Sequence, residues 1–166
     1  MWCWTSQEAR DWCNRYLIPL NSRNIPTVPL RGQASASIPL SNLTAPSTHY
    51  LSQLVGVALR PNANALLWIP LDEIADEDLQ LFYKLREAYG ERRLLNDAPA
   101  HYCLRNEFGD LSLFAFLGML FSWDFYVLAN YVSFFKTHDE FLEVYGDPSI
   151  VEEFVDNCRK AGMPPR

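Results

Sequence analysis

Apolar residues recur with a helical period near the start of the chain. Thr5 and Glu8 form an S/T-x-x-E capping box, in which two side chains satisfy free amides at a helix start. Five apolar residues then lie at the i, i+3, i+4, i+7, i+8 spacing of one helix face: Ala9, Trp12, Cys13, Tyr16 and Leu17. Pro19 disfavours helix in the residue before it. The pattern predicts a helix that begins after Thr5 and ends before Pro19.

Four more helices are predicted from similar patterns and end signals. The second follows Ser47 or Thr48, and the third covers about 76–90, with acidic residues in its first turn. The fourth begins after Asp110 and continues through Phe121, and it is apolar almost all round, which is typical of a helix in the protein interior. The fifth starts at Asp147-Pro148, with proline at the first helical position, and ends at Gly162.

Short apolar segments between the helices predict strands. They cover 65–69 and 101–105, and two or three more lie between 125 and 146. Helices and strands in this arrangement predict an α+β (or α/β) fold. We expect a single globular domain over 1–166, with about five helices packed on a small mixed β-sheet.

The segment 19–46 differs from the rest because it contains five prolines and is rich in serine and asparagine. Proline removes a backbone donor and is confined to sheet edges. We expect an irregular excursion, with short extended pieces such as "IPTVPL" at a sheet edge. Loops of this length are usually functional or mobile.

The composition narrows the possible partners. The chain has 14 basic and 20 acidic residues, for a net charge of −6. A nucleic-acid binder normally carries a basic patch, and this chain has no run of Lys or Arg, so we expect no nucleic-acid partner. An acidic protein suits a basic protein partner, while an ordinary acidic surface is the simpler alternative.

The four cysteines are scattered without a CxxC pair, and no secretory signal precedes them. We therefore expect a cytoplasmic protein with reduced, mostly buried thiols. Segment 111–135 is long and apolar enough to raise the question of a membrane span, but Asp124 lies at its middle. A carboxylate there costs about 2.5–3.5 kcal/mol, so a buried helix followed by a strand is the better interpretation and no membrane is expected.

Asp124 also interrupts this apolar stretch without an adjacent cation. It either caps the chain after Trp123 or pairs with a buried Arg such as Arg86, Arg92 or Arg93. A second polar site lies in "FFKTHDEFLEVYG", residues 134–146. There the alternatives are a polar turn between strands and an acidic edge that binds a cationic partner. The candidate partner-binding residues are Asp124, His138, Asp139 and Glu140.

Few residues offer catalytic or metal chemistry. His138 has only carboxylates nearby, which does not match a zinc site. His101 and Cys103 would share one face of a strand, but no glycine-framed turn exposes the thiol. The seven glycines form no phosphate-binding loop. We expect no metal and no cofactor, and a small Cys/His-dependent hydrolase or transferase is the enzymatic alternative.

The segments "MLFSWDFY" (119–126) and "FFKTHDEFLEVYG" resemble parts of the small acidic immunity proteins of bacterial toxin–immunity systems. The resemblance extends to the general build of the whole chain. It implies a protein without catalytic activity that binds and neutralises a cognate toxin, and no catalytic residues carry over. We expect a non-enzymatic protein-binding protein; a structural subunit of a larger assembly is a further alternative.

Overall fold

The centre of the fold is a seven-stranded sheet. The computed structural model describes residues 1–22, 25–27, 34–70, 76–136 and 140–166, with the side chains of 76–78 left out. Its strands are β1 (Trp2–Trp4), β2 (Ala34–Pro39), β3 (Asn64–Trp68), β4 (Ala100–Leu104), β5 (Phe125–Leu128), β6 (Val132–Lys136) and β7 (Phe141–Gly146).

The order across the sheet is β1-β4-β3-β5-β6-β7-β2, and every neighbouring pair is antiparallel. The α+β class is therefore confirmed, but the prediction of a small mixed sheet is wrong. Short connections join β5 to β6 and β6 to β7, and such connections suit antiparallel neighbours, whereas parallel strands need a long crossover.

The described ranges contain five helices, in agreement with the predicted number: α1 (Ser6–Arg15), α2 (Ala45–Ala58), α3 (Asp76–Ala88), α4 (Phe108–Leu120) and α5 (Pro148–Lys160). The predicted capping box at Thr5 and Glu8 is present. Thr44 caps α2, so this helix begins before the predicted Ser47, because its first turn accommodates Pro46. A 3-10 turn, Arg105–Glu107, leads directly into α4 and places Asp110 in the first helical turn rather than at the cap.

The helices lie on both faces of the sheet and pack partly on one another, which differs from the predicted packing of about five helices on a small mixed sheet. Alternate residues of β3 and β5 belong to two separate hydrophobic clusters. One face of the sheet packs on the side of α2–α5, and we call it the covered face. Its side chains from β3 and β5 are Ala65, Leu67, Phe125 and Val127. Their neighbours Leu66, Trp68, Tyr126 and Leu128 pack with α1 on the α1 face. Helix α2 also packs on α4 and α5, so part of the core lies between helices.

The two ends of the sheet are β1 and β2. Strand β1 pairs with β4, and the Arg93 guanidinium donates a hydrogen bond from Nη2 to the Cys3 carbonyl over 2.7 Å. Strand β2 pairs with β7 in register from Ala34↔Gly146 to Pro39↔Phe141. In the described part of the chain, the edge strand of the proline-rich segment is 34–39, which lies after the predicted piece "IPTVPL". Within the latter, Pro26 forms an isolated bridge with Leu20, and 28–30 lie outside the described residues.

The apolar segment 111–135 folds as most of α4 followed by β5 and β6, as predicted. Helix α4 has 13 residues and is buried along most of its length. Over the residues that the structure describes, none of the helices combines the length and apolar character that crossing a membrane requires.

Candidate functional site

The predicted acidic site lies around the β6–β7 connection. Glu140 is exposed, and its carbonyl accepts a hydrogen bond from the Leu40 amide over 2.8 Å. His138 and Asp139 lie outside the described residues. Glu140 lines a groove of about 460 Å³ together with Ser122 and Lys136. Lys136 is only 4% exposed, and Ser122 has a left-handed backbone with φ of 59°.

Asp124 does not share this surface position. It immediately precedes β5 and is 5% exposed, so it offers a partner almost no surface. Its assignment as a contact residue is therefore corrected to a structural one. The arginines considered as its partners make other contacts: Arg86 with the Ala98 carbonyl, Arg92 with Glu87, and Arg93 with Glu91 and Cys3.

His101 and Cys103 lie on the same face of β4, as predicted, but both side chains are fully buried. Burial raises the pKa of the Cys103 thiol well above its ordinary value. Burial and the nearby Arg86 charge lower the pKa of His101 to about 3. A buried neutral thiol beside an imidazole that resists protonation is a poor nucleophilic pair, because the thiolate is the reactive form.

Arg86 is a buried cation that the sequence analysis considered only as a partner for Asp124. It is 0% exposed, and its Nη2 donates to the Ala98 carbonyl over 2.7 Å. Its guanidinium carbon lies 6.0 Å from the centroid of the Phe82 ring and 5.9 Å from that of Tyr83. The available signal was its position four residues after Phe82, which places both on one side of α3.

Two charged residues just after α3, Glu91 and Arg93, lie between Arg86 and β1 and interact with both. Glu91 forms an ion pair with Arg93 over 2.6 Å. The Arg93 hydrogen bonds, with help from the Arg86 charge, hold the pKa of Glu91 down to about 2. Burial raises the pKa of the Cys3 thiol, and Arg86 opposes that change. These contacts fix β1 at the end of the sheet.

Strands β1 and β4 together carry a group of partly exposed aromatic rings, which we call the aromatic edge: Trp2 and Trp4 of β1 and Tyr102 of β4. Tyr102 stacks on Trp4 with 4.2 Å between ring centroids and on Trp2 with 5.9 Å. Trp2 is 58% exposed. The sequence analysis missed β1 because it is three residues long, although the W-C-W alternation is the pattern of a strand with two side chains on one face.

The described residues contain no group of three or more His, Cys, Asp and Glu side chains that could hold a metal ion. All four cysteines are free thiols, and three of them are buried: Cys13, Cys103 and Cys158.

Comparisons with protein-family models, with curated proteins and with solved structures find no significant match to this chain.

Proposed function

We propose that this protein acts by binding another protein, without catalysis, in the manner of an immunity protein that neutralises a toxin. The observation that carries the proposal is the aromatic edge, where Trp2 is 58% exposed at the end of the sheet. Trp and Tyr side chains supply a large share of the binding free energy in protein interfaces.

The geometry of the aromatic edge favours binding because its rings are already ordered. Trp2 and Trp4 both stack nearly parallel to Tyr102, with interplanar angles of 9° and 12°. Strand β1 holds them through its pairing with β4, in the register Trp2↔Tyr102. A side chain that is held before binding loses less conformational entropy in the complex.

The charge of the protein favours a basic partner. With 20 acidic and 14 basic residues, the net charge of −6 would increase the rate of encounter with a positively charged surface. Glu140 remains a candidate contact because it is exposed. His138 and Asp139 remain candidates from the sequence alone, and Asp124 is left out because it is buried.

The absence of catalysis is supported by the environment of the one local Cys–His pair. Cys103 and His101 are both 0% exposed. A substrate would have to enter the core between β4 and α4 to reach the thiol.

The test is a binding measurement with basic proteins encoded beside this chain's own gene. Isothermal titration calorimetry would compare the wild-type protein with Trp2→Ala and with Tyr131→Ala as the matched control, since Tyr131 is 50% exposed away from β1. We expect Trp2→Ala to weaken binding by roughly 30-fold, the effect of a hot-spot residue, and Tyr131→Ala to leave it unchanged.

An immunity role further requires that the partner be toxic or enzymatically active and that stoichiometric amounts of this protein abolish its activity. The proposal fails if no neighbouring protein binds. It also fails if Tyr131→Ala weakens binding as much as Trp2→Ala does.

A further inference from the structure

A groove between α2 and α4 has the opposite charge from the protein as a whole. Its volume is about 500 Å³, within the range of small-molecule sites, which is about 300–1,000 Å³. Of the described residues, two arginines and one histidine line it and no carboxylate does; its lining is His49, Ser52, Gln53, Gly56, Val57, Arg60, Arg105, Phe108, Gly109, Ser112 and Leu113.

The floor of the groove is the closest approach of the two helices. A Cβ on Gly56 would lie 2.4 Å from the Ser112 hydroxyl oxygen and 3.4 Å from the Phe108 carbonyl. The hydroxyls of Ser52 and Ser112 donate to the carbonyls of His49 and Phe108 over 2.7 and 2.8 Å. The floor is therefore narrow and its hydroxyl donors are already used, so the longer side chains of the walls are the ones available to a ligand.

The two arginines lie at the same end of the groove. The His49 ring contacts the Phe116 ring edge-on, with 5.3 Å between centroids, and Gly56 faces Ser112, so α2 and α4 are antiparallel. Continuing this pairing brings Arg60, just beyond α2, to Arg105, just before α4. The Arg105 amide accordingly donates to the Ala63 carbonyl over 3.0 Å, three residues from Arg60.

Neither arginine is paired with a carboxylate among the residues that the structure describes. In the described part of the chain, no side-chain hydrogen bond or ion pair reaches Arg60 or Arg105. The carboxylates nearest in sequence have other partners: Glu107 binds the Met1 amino group and the Leu104 amide, and Asp110 interacts with the Tyr89 hydroxyl. Two positive charges at one end of the groove create a positive potential there, which favours the binding of an anion.

We propose that the α2–α4 groove binds a small organic phosphate. Arg60 and Arg105 together carry two positive charges, which match a phosphate monoester dianion, and guanidinium groups bind phosphate oxygens through paired N–H donors. Val57, Phe108 and Leu113 provide apolar contact for the organic part. Gln53 and His49, which lie within 3.1 Å of each other, offer hydrogen bonds towards the other end of the groove.

The experiment is an NMR or calorimetric titration at low salt with four probes: phenyl phosphate, inorganic phosphate, benzoate and phenol. We expect saturable binding of phenyl phosphate, at least tenfold tighter than that of inorganic phosphate or benzoate, and no binding of phenol. Tighter binding of benzoate would overturn the phosphate assignment, and absence of saturable phenyl phosphate binding would overturn the site.

Three variants locate the site. Arg60→Gln and Arg105→Gln should each weaken phenyl phosphate at least tenfold while the melting temperature stays that of the wild type, because both side chains are exposed. Arg159→Gln is the matched control, since this exposed arginine lies on α5 and pairs with Asp156. Equal weakening in all three variants would show general charge attraction and overturn the proposal. Trp2→Ala should bind phenyl phosphate normally, which keeps this test separate from that of protein binding.

Discussion

The two faces of the sheet bury their aromatic residues differently. On the covered face, the Phe82 ring contacts His101, Phe114 and Trp123 at centroid distances of 5.3–5.6 Å, and all four side chains are at most 1% exposed. On the α1 face, one helix covers the middle strands, and the aromatic rings continue outward to Trp2, which is 58% exposed.

This difference separates residues that stabilise the fold from residues that are available to a partner. Completely buried rings contribute their full transfer free energy and their packing contacts to folding. A ring that remains more than half in water contributes little to folding and keeps most of its apolar area for binding. Stability should therefore depend mainly on the covered face, and recognition on the end of the sheet at β1.

The largest effect is expected for Phe82→Ala on the covered face. The change removes a fully buried ring from between three aromatic side chains and leaves a cavity. We expect the free energy of unfolding to fall by about 3–5 kcal/mol, measured by urea denaturation. A loss below about 1 kcal/mol would mean that the covered face does not dominate stability.

A smaller loss of unfolding free energy is expected in mild acid, and it also arises on the covered face, at His101. His101 has a pKa of about 3 in the folded protein against an ordinary value of 6.5, so the unfolded chain binds the proton first. A weak contact with the Leu67 backbone opposes the shift, but its geometry falls short of a hydrogen bond, and neither ring nitrogen has a partner among the described residues. The contribution of neutral His101 to the free energy of unfolding is complete above pH 6.5, and it decreases as the pH falls towards 3.

When the pH is lowered from 7 to 5, the free energy of unfolding should fall by about 2 kcal/mol because of His101. Urea denaturation at each pH would measure this, with His101→Phe as the control that keeps a ring in place and removes the titration. The two proteins share every other ionisable group, so the contributions of those groups cancel in the comparison. Equal pH dependence of the unfolding free energy in the two proteins would contradict this prediction, because it would mean that His101 binds a proton equally well in the folded and the unfolded chain.

The smallest effect is expected for Trp2→Ala on the aromatic edge. Because the ring is 58% exposed and its main contact is the stack on Tyr102, its loss should lower the free energy of unfolding by less than about 1 kcal/mol. Urea denaturation of this variant beside Phe82→Ala compares the two faces directly. A loss similar to that of Phe82→Ala would mean that β1 is part of the folding core, and any effect of Trp2→Ala on partner binding would then be indirect.

Local signals in the sequence predicted the helices better than the sheet. The capping box at Thr5 and the Asp147-Pro148 start depend on neighbouring residues, and both are present. The pairing of β2 with β7 joins residues more than a hundred positions apart, which no local pattern indicates. The alternation in the edge strand 34–39 involves only small alanine and serine side chains before Ile38, so it is a weak signal beside the prolines, and the pattern predicts an irregular excursion there.

The candidate site was harder to predict for a similar reason. The single charge in an apolar stretch made Asp124 a candidate for partner binding as well as for a structural role, but exposure depends on tertiary packing, and this carboxylate is buried. The position of Arg60 and Arg105 in the lining of one groove depends on the antiparallel approach of two helices. Only the small residue at Gly56 marked that approach in the sequence.

The hydrogen bond from Arg93 to the Cys3 carbonyl has a consequence for self-association. A three-residue strand at the end of a sheet has backbone groups to which a second chain could add by hydrogen bonding. Arg93 occupies one of these acceptors, and its ion pair with Glu91 holds the guanidinium in place. One side chain thereby discourages further strands from joining the protein at the end of the sheet where Trp2 is exposed.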